Sequence, residues 1–268
     1  MRLKLDHLTR YTYAQPAADI VQALRLTPSA HDGQHITAWR IDVDADGTLR
    51  ESIDAFGNRV TMFYAARPVE ALAIRVTGEA DIDDMAGIVR AAEPLPPALF
   101  LRPTPLTAPA PEIAALAARF AELPALEQLH ALCGALYREM RFEPGMTDAA
   151  TAAAEALAAG HGVCQDFAHI FIAAARLLGV PARYVSGHLA RSEQQEAAHA
   201  WAEALVPGLG WVAFDPANGI CTTDHYLRVA TGFDYLTAAP VRGARRGGGA
   251  ELLDVTVDAA ASARQHQN

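Results

Sequence analysis

From Gly160 to Pro181 the chain reads GHGVCQDFAHIFIAAARLLGVP, with Phe167, Ile170, Phe171, Ala174, Leu177 and Leu178 at i, i+3, i+4, i+7, i+10 and i+11. A face that broad and that apolar belongs in a core, so the spacing predicts a buried helix. Gly179 ends it and Pro181 prevents its continuation. Three strands are expected next, Ala182 to Leu189, His199 to Val206 and Trp211 to Asp215. A polar loop at 191–196 and the turn Pro207-Gly208-Leu209-Gly210 separate them, and the turn makes the last two a hairpin. The expected unit is a helix lying across an antiparallel sheet.

Cys164 stands at the start of that helix. Unpaired amide N–H groups and the positive end of the helix dipole stabilise a thiolate there. A thiol nucleophile also needs an imidazole within hydrogen-bond reach and a carboxylate to orient it. His199 begins one strand of the predicted hairpin and Asp215 ends the other, so pairing places them side by side. Cys164, His199 and Asp215 are therefore the catalytic candidates. Gln165 and Trp201 are candidates for the oxyanion site or cleft wall, with packing beneath His199 the other reading of Trp201, and Asp166 and Arg242 are candidates for substrate binding. For Asp166, on the first helical turn, stabilising the helix end is the competing reading, and for Arg242 a solvated loop. Cys133 reads as core and Cys221 as a loop thiol. Three cysteines suit free thiols in a reducing cytoplasm better than a disulfide framework. His161, His169 and His188 form no paired ligand spacing with Cys164, so neither a metal nor a cofactor is expected.

The first 98 residues alternate in segments such as Arg2 to Tyr13, His35 to Val43, Val60 to Ala65 and Leu72 to Val76, which predicts a β-rich domain. Prolines at 94, 96, 97, 103, 105, 109 and 111 then rule out a continuous helix and suggest an extended connection, placed with a first helix at 99–123. Helices are expected near 112–122, 125–140 and 149–159. A core domain over 124–258 takes in a Gly-rich basic loop, Arg242 to Gly249, and a strand, Glu251 to Val257; a polar tail at 259–268 follows. With 31 acidic against 22 basic residues, nucleic acid is not an expected partner. No apolar run reaches the roughly 18 residues of a membrane span, so no membrane partner is expected either, and the chain reads as a cytoplasmic protein.

The blocks GHGVCQDFAHIFIAAARLLGVPARYVSGHL and HAWAEALVPGLGWVAFDPANG, preceded by RFEPGMT and followed by DHYLRVATGFDY, resemble the bacterial transglutaminase-like superfamily. YTYAQPAADIVQALRLTP and IDAFGNRV resemble the β-rich N-terminal domain of the same group. The resemblance implies an α+β fold, with a β-sandwich-like N-terminal domain and a papain-like core whose nucleophile, base and acid run in the order Cys164, His199, Asp215. It also implies a peptide or protein substrate, opened at a peptide, isopeptide or carboxamide bond through a thioester on Cys164. Transamidation through the same acyl-enzyme and a noncatalytic binding scaffold are the alternatives; acyl transfer of the arylamine N-acetyltransferase type places its nucleophile much nearer the N-terminus. Phe233 stands where the family often carries Arg. Animal transglutaminases hold the oxyanion with a Trp well upstream of the nucleophile, and here no Trp lies between Pro103 and Cys164. The backbone N–H of Cys164 is one donor, and the residues assign no second.

Overall fold

The computed structural model describes residues 1–190 and 198–262. The loop expected at 191–196 and the end of the expected tail, 263–268, lie outside the described residues.

Strand β1 (Arg2–Thr27) organises the first half of the molecule. It buries Leu3, Leu5, His7, Thr9, Tyr11, Tyr13 and Ala17, then Ile20, Gln22, Leu24 and Leu26, so the buried parity changes from odd to even. The change coincides with Asp19 at φ 51° and a register shift between Ala18 and Val21, as a bulge requires. The strand therefore runs past Tyr13, where the sequence alternation suggested it stopped. With β2 (Gln34–Val43), β3 (Gly47–Ile53), β4 (Arg59–Ala65) and β5 (Val69–Ile82) it forms an antiparallel sheet ordered β2-β5-β1-β4-β3.

The second half begins with β6 (Ile88–Val89), two short 3-10 turns, α1 (Pro111–Ala118) and α2 (Ala125–Glu139). The two-residue strands β7 (Arg141–Phe142) and β8 (His161–Gly162) flank α3 (Ala153–Ala159) and pair in parallel. Then come α4 (Cys164–Leu177), β9 (Ala182–Leu189), β10 (His199–Val206), β11 (Gly210–Asp215), β12 (Ile220–Cys221), β13 (Tyr226–Gly232) and α5 (Tyr235–Ala238). The strands form an antiparallel sheet ordered β12-β11-β10-β9-β13, and β6 adds to β11. Along β10, Ala200, Ala202, Ala204 and Val206 join the core cluster that contains α4, while Trp201 belongs to the cluster behind the sheet. Small side chains at alternate positions let the helix lie close to the strands. Residues Asp166 to Arg176 are all buried, because α1, α2 and α3 pack against α4 as well.

Arg176, near the end of the apolar helix, is also buried. Its guanidinium donates to the carbonyls of Phe100, Ala182 and Phe233 and to the Thr107 hydroxyl. Three of those partners lie outside the helix–sheet pair, so one arginine ties the 3-10 turns and the Phe233 loop to the central helix. The Pro-rich stretch is accordingly folded onto the body rather than extended: Phe100 is buried against Trp211, 5.3 Å between ring centroids, and Phe233, 5.5 Å.

Two expectations for the C-terminal part are corrected. Arg242 to Gly249 is for the most part a strand, β14 (Val241–Gly247), and residues 259–262 continue β15 (Glu251–Ser262) instead of starting a tail. Both strands pair with β1, β14 with its second half and β15 with its first, so the chain returns to the sheet it began in. The physical reason is alternation with small residues: Val257 and Ala259 are buried beside Leu3 and Leu5, a face too modest to stand out from polar neighbours. The strands of the N-terminal region thus form one seven-stranded antiparallel sheet that the C-terminal strands complete.

Side-chain amides join the two sheets. Asn58 donates to the carbonyl of Thr231 and accepts from its N–H, both at 2.8 Å. Gln34 does the same for Arg228, both at 2.9 Å. Each amide acts as a one-residue strand partner for β13.

Candidate active site

The Gly-His-Gly-Val-Cys run is a device for starting a helix at a chosen place. Gly160 ends α3 at φ 69°, a left-handed conformation suited to glycine. Two residues on, a Cβ at Gly162 would lie 2.7 Å from Cβ of Asp166, so that position must be bare. The space is used by the Asp166 carboxylate, whose Oδ2 accepts from the Val163 N–H at 2.8 Å and the Thr147 hydroxyl at 2.7 Å. This is the reciprocal half of a capping box, and it fixes Cys164 as the first residue of α4. Burial raises the Asp166 carboxyl above its ordinary range, against the pull of those two donors. As a candidate for binding substrate it is therefore corrected: it is buried under the helix start and takes no part in the cleft wall.

The half-buried Cys164 opens on a cavity of about 260 Å³ that His199 also lines. The His199 ring faces the same cavity as the sulfur, and its Nε2 meets Oδ2 of Asp215 at 2.6 Å. Burial opposes a charge on His199, but the sulfur and the carboxylate outweigh it and raise the imidazolium pKa to about 10. Asp215 is fully buried. Burial would raise its pKa, yet hydrogen bonds, from His199 above all, hold it below the carboxylate range. Oδ2 also accepts from Asn218 Nδ2 at 2.6 Å and the Tyr226 hydroxyl at 2.8 Å, while Oδ1 accepts the N–H groups of Ala217 at 3.0 Å and Asn218 at 3.2 Å. Turn cap and histidine anchor are one residue.

Of the remaining candidates, Gln165 lines the cleft, but its side-chain amide donates to the Asp148 carbonyl at 3.3 Å. Trp201 does not line the cleft; it takes the other place expected of it, buried behind the sheet 6.2 Å from the His199 ring and 5.5 Å from Tyr226. Gly187 makes room for it, since a Cβ there would come within 2.5 Å of the indole. Arg242 is corrected as well. It is exposed on β14, donates to the Leu236 carbonyl at 2.9 Å and is absent from the cleft wall. His169 accepts the Tyr235 N–H at 3.0 Å, and burial lowers its pKa to about 4. His188 packs edge-on against His7 at 5.3 Å, and Phe233 joins Phe56 and Phe100. Cys133 is buried in α2.

Residues not anticipated complete the site. Asn218 and Tyr226 hold Asp215; the first could have been suspected from its place three residues on in the same turn, the second only from tertiary pairing. One cleft wall comes from the other sheet, through Thr9 and Tyr11 of β1 and Leu253 and Val255 of β15. No helix among the described residues is long and apolar enough to cross a membrane.

A model of the transglutaminase-like superfamily core matches residues 114–216, a span that includes Cys164, His199 and Asp215. A second, of the bacterial transglutaminase-like N-terminal region, matches residues 3–81. The uncharacterized protein ML0607 of Mycobacterium leprae is 30% identical to this chain over 281 residues, covering 96% of it and 98% of the relative. The uncharacterized protein Rv2569c of Mycobacterium tuberculosis is 29% identical over 298 residues, covering 96% and 92%. Among solved structures, one described as a candidate cysteine protease from Cytophaga hutchinsonii superposes with a TM-score of 0.81 at 22% identity, covering all of this chain and 92% of the other. At that identity the likeness is one of fold.

Proposed function

The chain belongs to the transglutaminase-like superfamily, and on that premise we propose that it is a thiol-dependent acyl-transfer enzyme, a peptidase or amidase of peptide, isopeptide or carboxamide bonds. The observation that carries this reading is the position of His199, which lines the same cavity as Cys164 and is bonded to Asp215 at 2.6 Å. Held as imidazolium, His199 has a proton ready for a leaving amine. The Cys164 thiolate adds to the substrate carbonyl carbon, forming a C–S bond and a tetrahedral oxyanion. The C–N bond then breaks as His199 protonates the nitrogen, the amine departs and a thioester remains. His199, now neutral, takes a proton from water, which attacks the thioester and releases a carboxylic acid and the thiolate. An amine in place of water gives transamidation by the same steps.

The substrate we favour is a neutral stretch of peptide or protein, because the described residues of the cleft lining include no acidic or basic side chain besides histidines and are rich in Tyr and Val. The free thiols Cys133, Cys164 and Cys221 suit a reducing compartment, and we place the enzyme in the cytoplasm on that ground. The test is intact-mass analysis of the full chain after incubation with a peptide and amide library, with and without a competing amine. An acyl adduct should form on the wild type and be absent from Cys164→Ala. Equal adduct on the variant, or none on either protein together with no alkylation of Cys164 by iodoacetamide, would sink the proposal.

A further inference from the structure

An acyl-transfer site must hold the oxyanion, and the donor evident at Cys164 is its own backbone N–H at the first position of α4. We propose that the phenolic hydroxyl of Tyr184 is the second oxyanion donor, and so a catalytic residue of the acyl-transfer reading on which this inference rests.

Tyr184 lies in the middle of β9 with only 2% of its surface exposed, yet it lines the same cavity as Cys164 and His199. Its ring is fixed between His169, 5.2 Å away, and Tyr235, 6.3 Å away and edge-on. No hydrogen bond among the described residues uses its hydroxyl, which is open to the cavity. A nearly buried hydroxyl without a partner is costly, and such a group in a cleft is available to a ligand atom. The shorter polar side chains around the cavity are engaged. The Ser186 hydroxyl donates to the Ala238 carbonyl at 2.7 Å, Thr9 and His7 are bonded to each other at 3.0 Å, and the Gln165 amide is on Asp148. Tyr11 and Tyr235 also reach the cavity, but Tyr184 is the buried phenol of the core cluster against which Cys164 packs, whereas Tyr11 belongs to the first sheet's cluster and Tyr235 is only partly buried. Burial, and then the Cys164 sulfur, push the Tyr184 phenol well above its ordinary range, so it stays protonated and can only donate toward an anion.

In the reaction, addition of sulfur to the carbonyl carbon moves the C=O π pair onto oxygen. The Tyr184 O–H and Cys164 N–H donate to that oxygen, and the pair returns to re-form C=O as the C–N bond breaks.

Tyr184→Phe in the full chain removes the hydroxyl and keeps the ring. Two probes separate its effects. Iodoacetamide alkylates the sulfur by displacing iodide and creates no oxyanion; a neutral peptide aldehyde adds the sulfur to C=O and creates a tetrahedral oxygen. Iodoacetamide should modify Cys164 of the variant at the wild-type rate, while protection by the aldehyde weakens at least about 10-fold, and kcat on any amide that acylates Cys164 falls about 10²-fold. The variant should melt no lower than the wild type, because the hydroxyl it loses has no partner in the fold. Undiminished aldehyde protection would overturn the assignment. So would equal losses with both probes, or a lower melting temperature accompanied by slower alkylation, since either marks a structural role. Failure of iodoacetamide to modify Cys164 in the wild type would instead remove the acyl-transfer reading beneath it.

Discussion

Asp215 uses its two oxygens differently, one to cap the turn that follows it and the other to anchor His199, Asn218 and Tyr226. Five donors on one fully buried carboxylate keep it ionised, and an ionised Asp215 helps to keep His199 protonated. The direction of a pH effect follows. Protonating the leaving amine needs imidazolium, so acylation should decline as the pH rises through the His199 pKa of about 10. Asp215 is one of the groups that raise that value, so Asp215→Asn should move the alkaline limb of kcat/KM to lower pH and reduce kcat, by as much as about 10⁴-fold. A pH–rate profile with an unmoved limb would show that Asp215 does not tune the histidine. A hairpin reading of the sequence found this residue; what it could not supply is the Tyr226 donor, which comes from a strand two neighbours away from β10.

At the scale of the element, helix α4 is where the fold and the site become the same question. Its apolar residues make it the centre of a core, and its first residue is the thiol, so whatever sets its start also sets the position of the sulfur. That start depends on Gly162 being bare beside Asp166. Gly162→Ala would force the Asp166 carboxylate off the Val163 N–H, and a crowded, partly uncapped helix start should cost about 1–3 kcal/mol of stability. Urea unfolding of the variant measures the loss, and iodoacetamide alkylation should slow as the sulfur shifts; an unchanged unfolding midpoint would refute the packing argument. The periodicity of α4 and the alternation of β9 to β11 were legible in sequence because each element has one strong face. The parity change in β1 was not, since Asp19 reaches positive φ only in the company of β14.

For the whole molecule, the decisive contacts are those between sheets. The first sheet contains the first strand and the last described strand of the chain and supplies part of the cleft wall, and Asn58 and Gln34 clip it to β13 by amide pairs. Truncating Asn58 to Ala leaves the buried N–H and C=O of Thr231 without partners, at about 1–3 kcal/mol each. Asn58→Ala should therefore lower stability by about 2 kcal/mol or more in urea unfolding, and a variant as stable as the wild type would show that the amide clip is dispensable. This accounts physically for the IDAFGNRV block: Asp54 orients the turn by accepting from the Phe56 and Asn58 N–H groups, and Asn58 spends its side chain on the other sheet.

By itself the sequence determined the local events: a buried helix ended by Gly179 and Pro181, a hairpin that sets His199 near Asp215, and a cysteine at the helix start. Each rests on residues a few positions apart, where periodicity and turn chemistry act directly. The tertiary structure alone decided that the strands β14 and β15 rejoin β1, that Tyr226 reaches Asp215, and that Tyr184 lines the same cavity as the sulfur. Those outcomes depend on which faces meet across the fold, and modest alternating segments such as β15 carry no local mark of their partner.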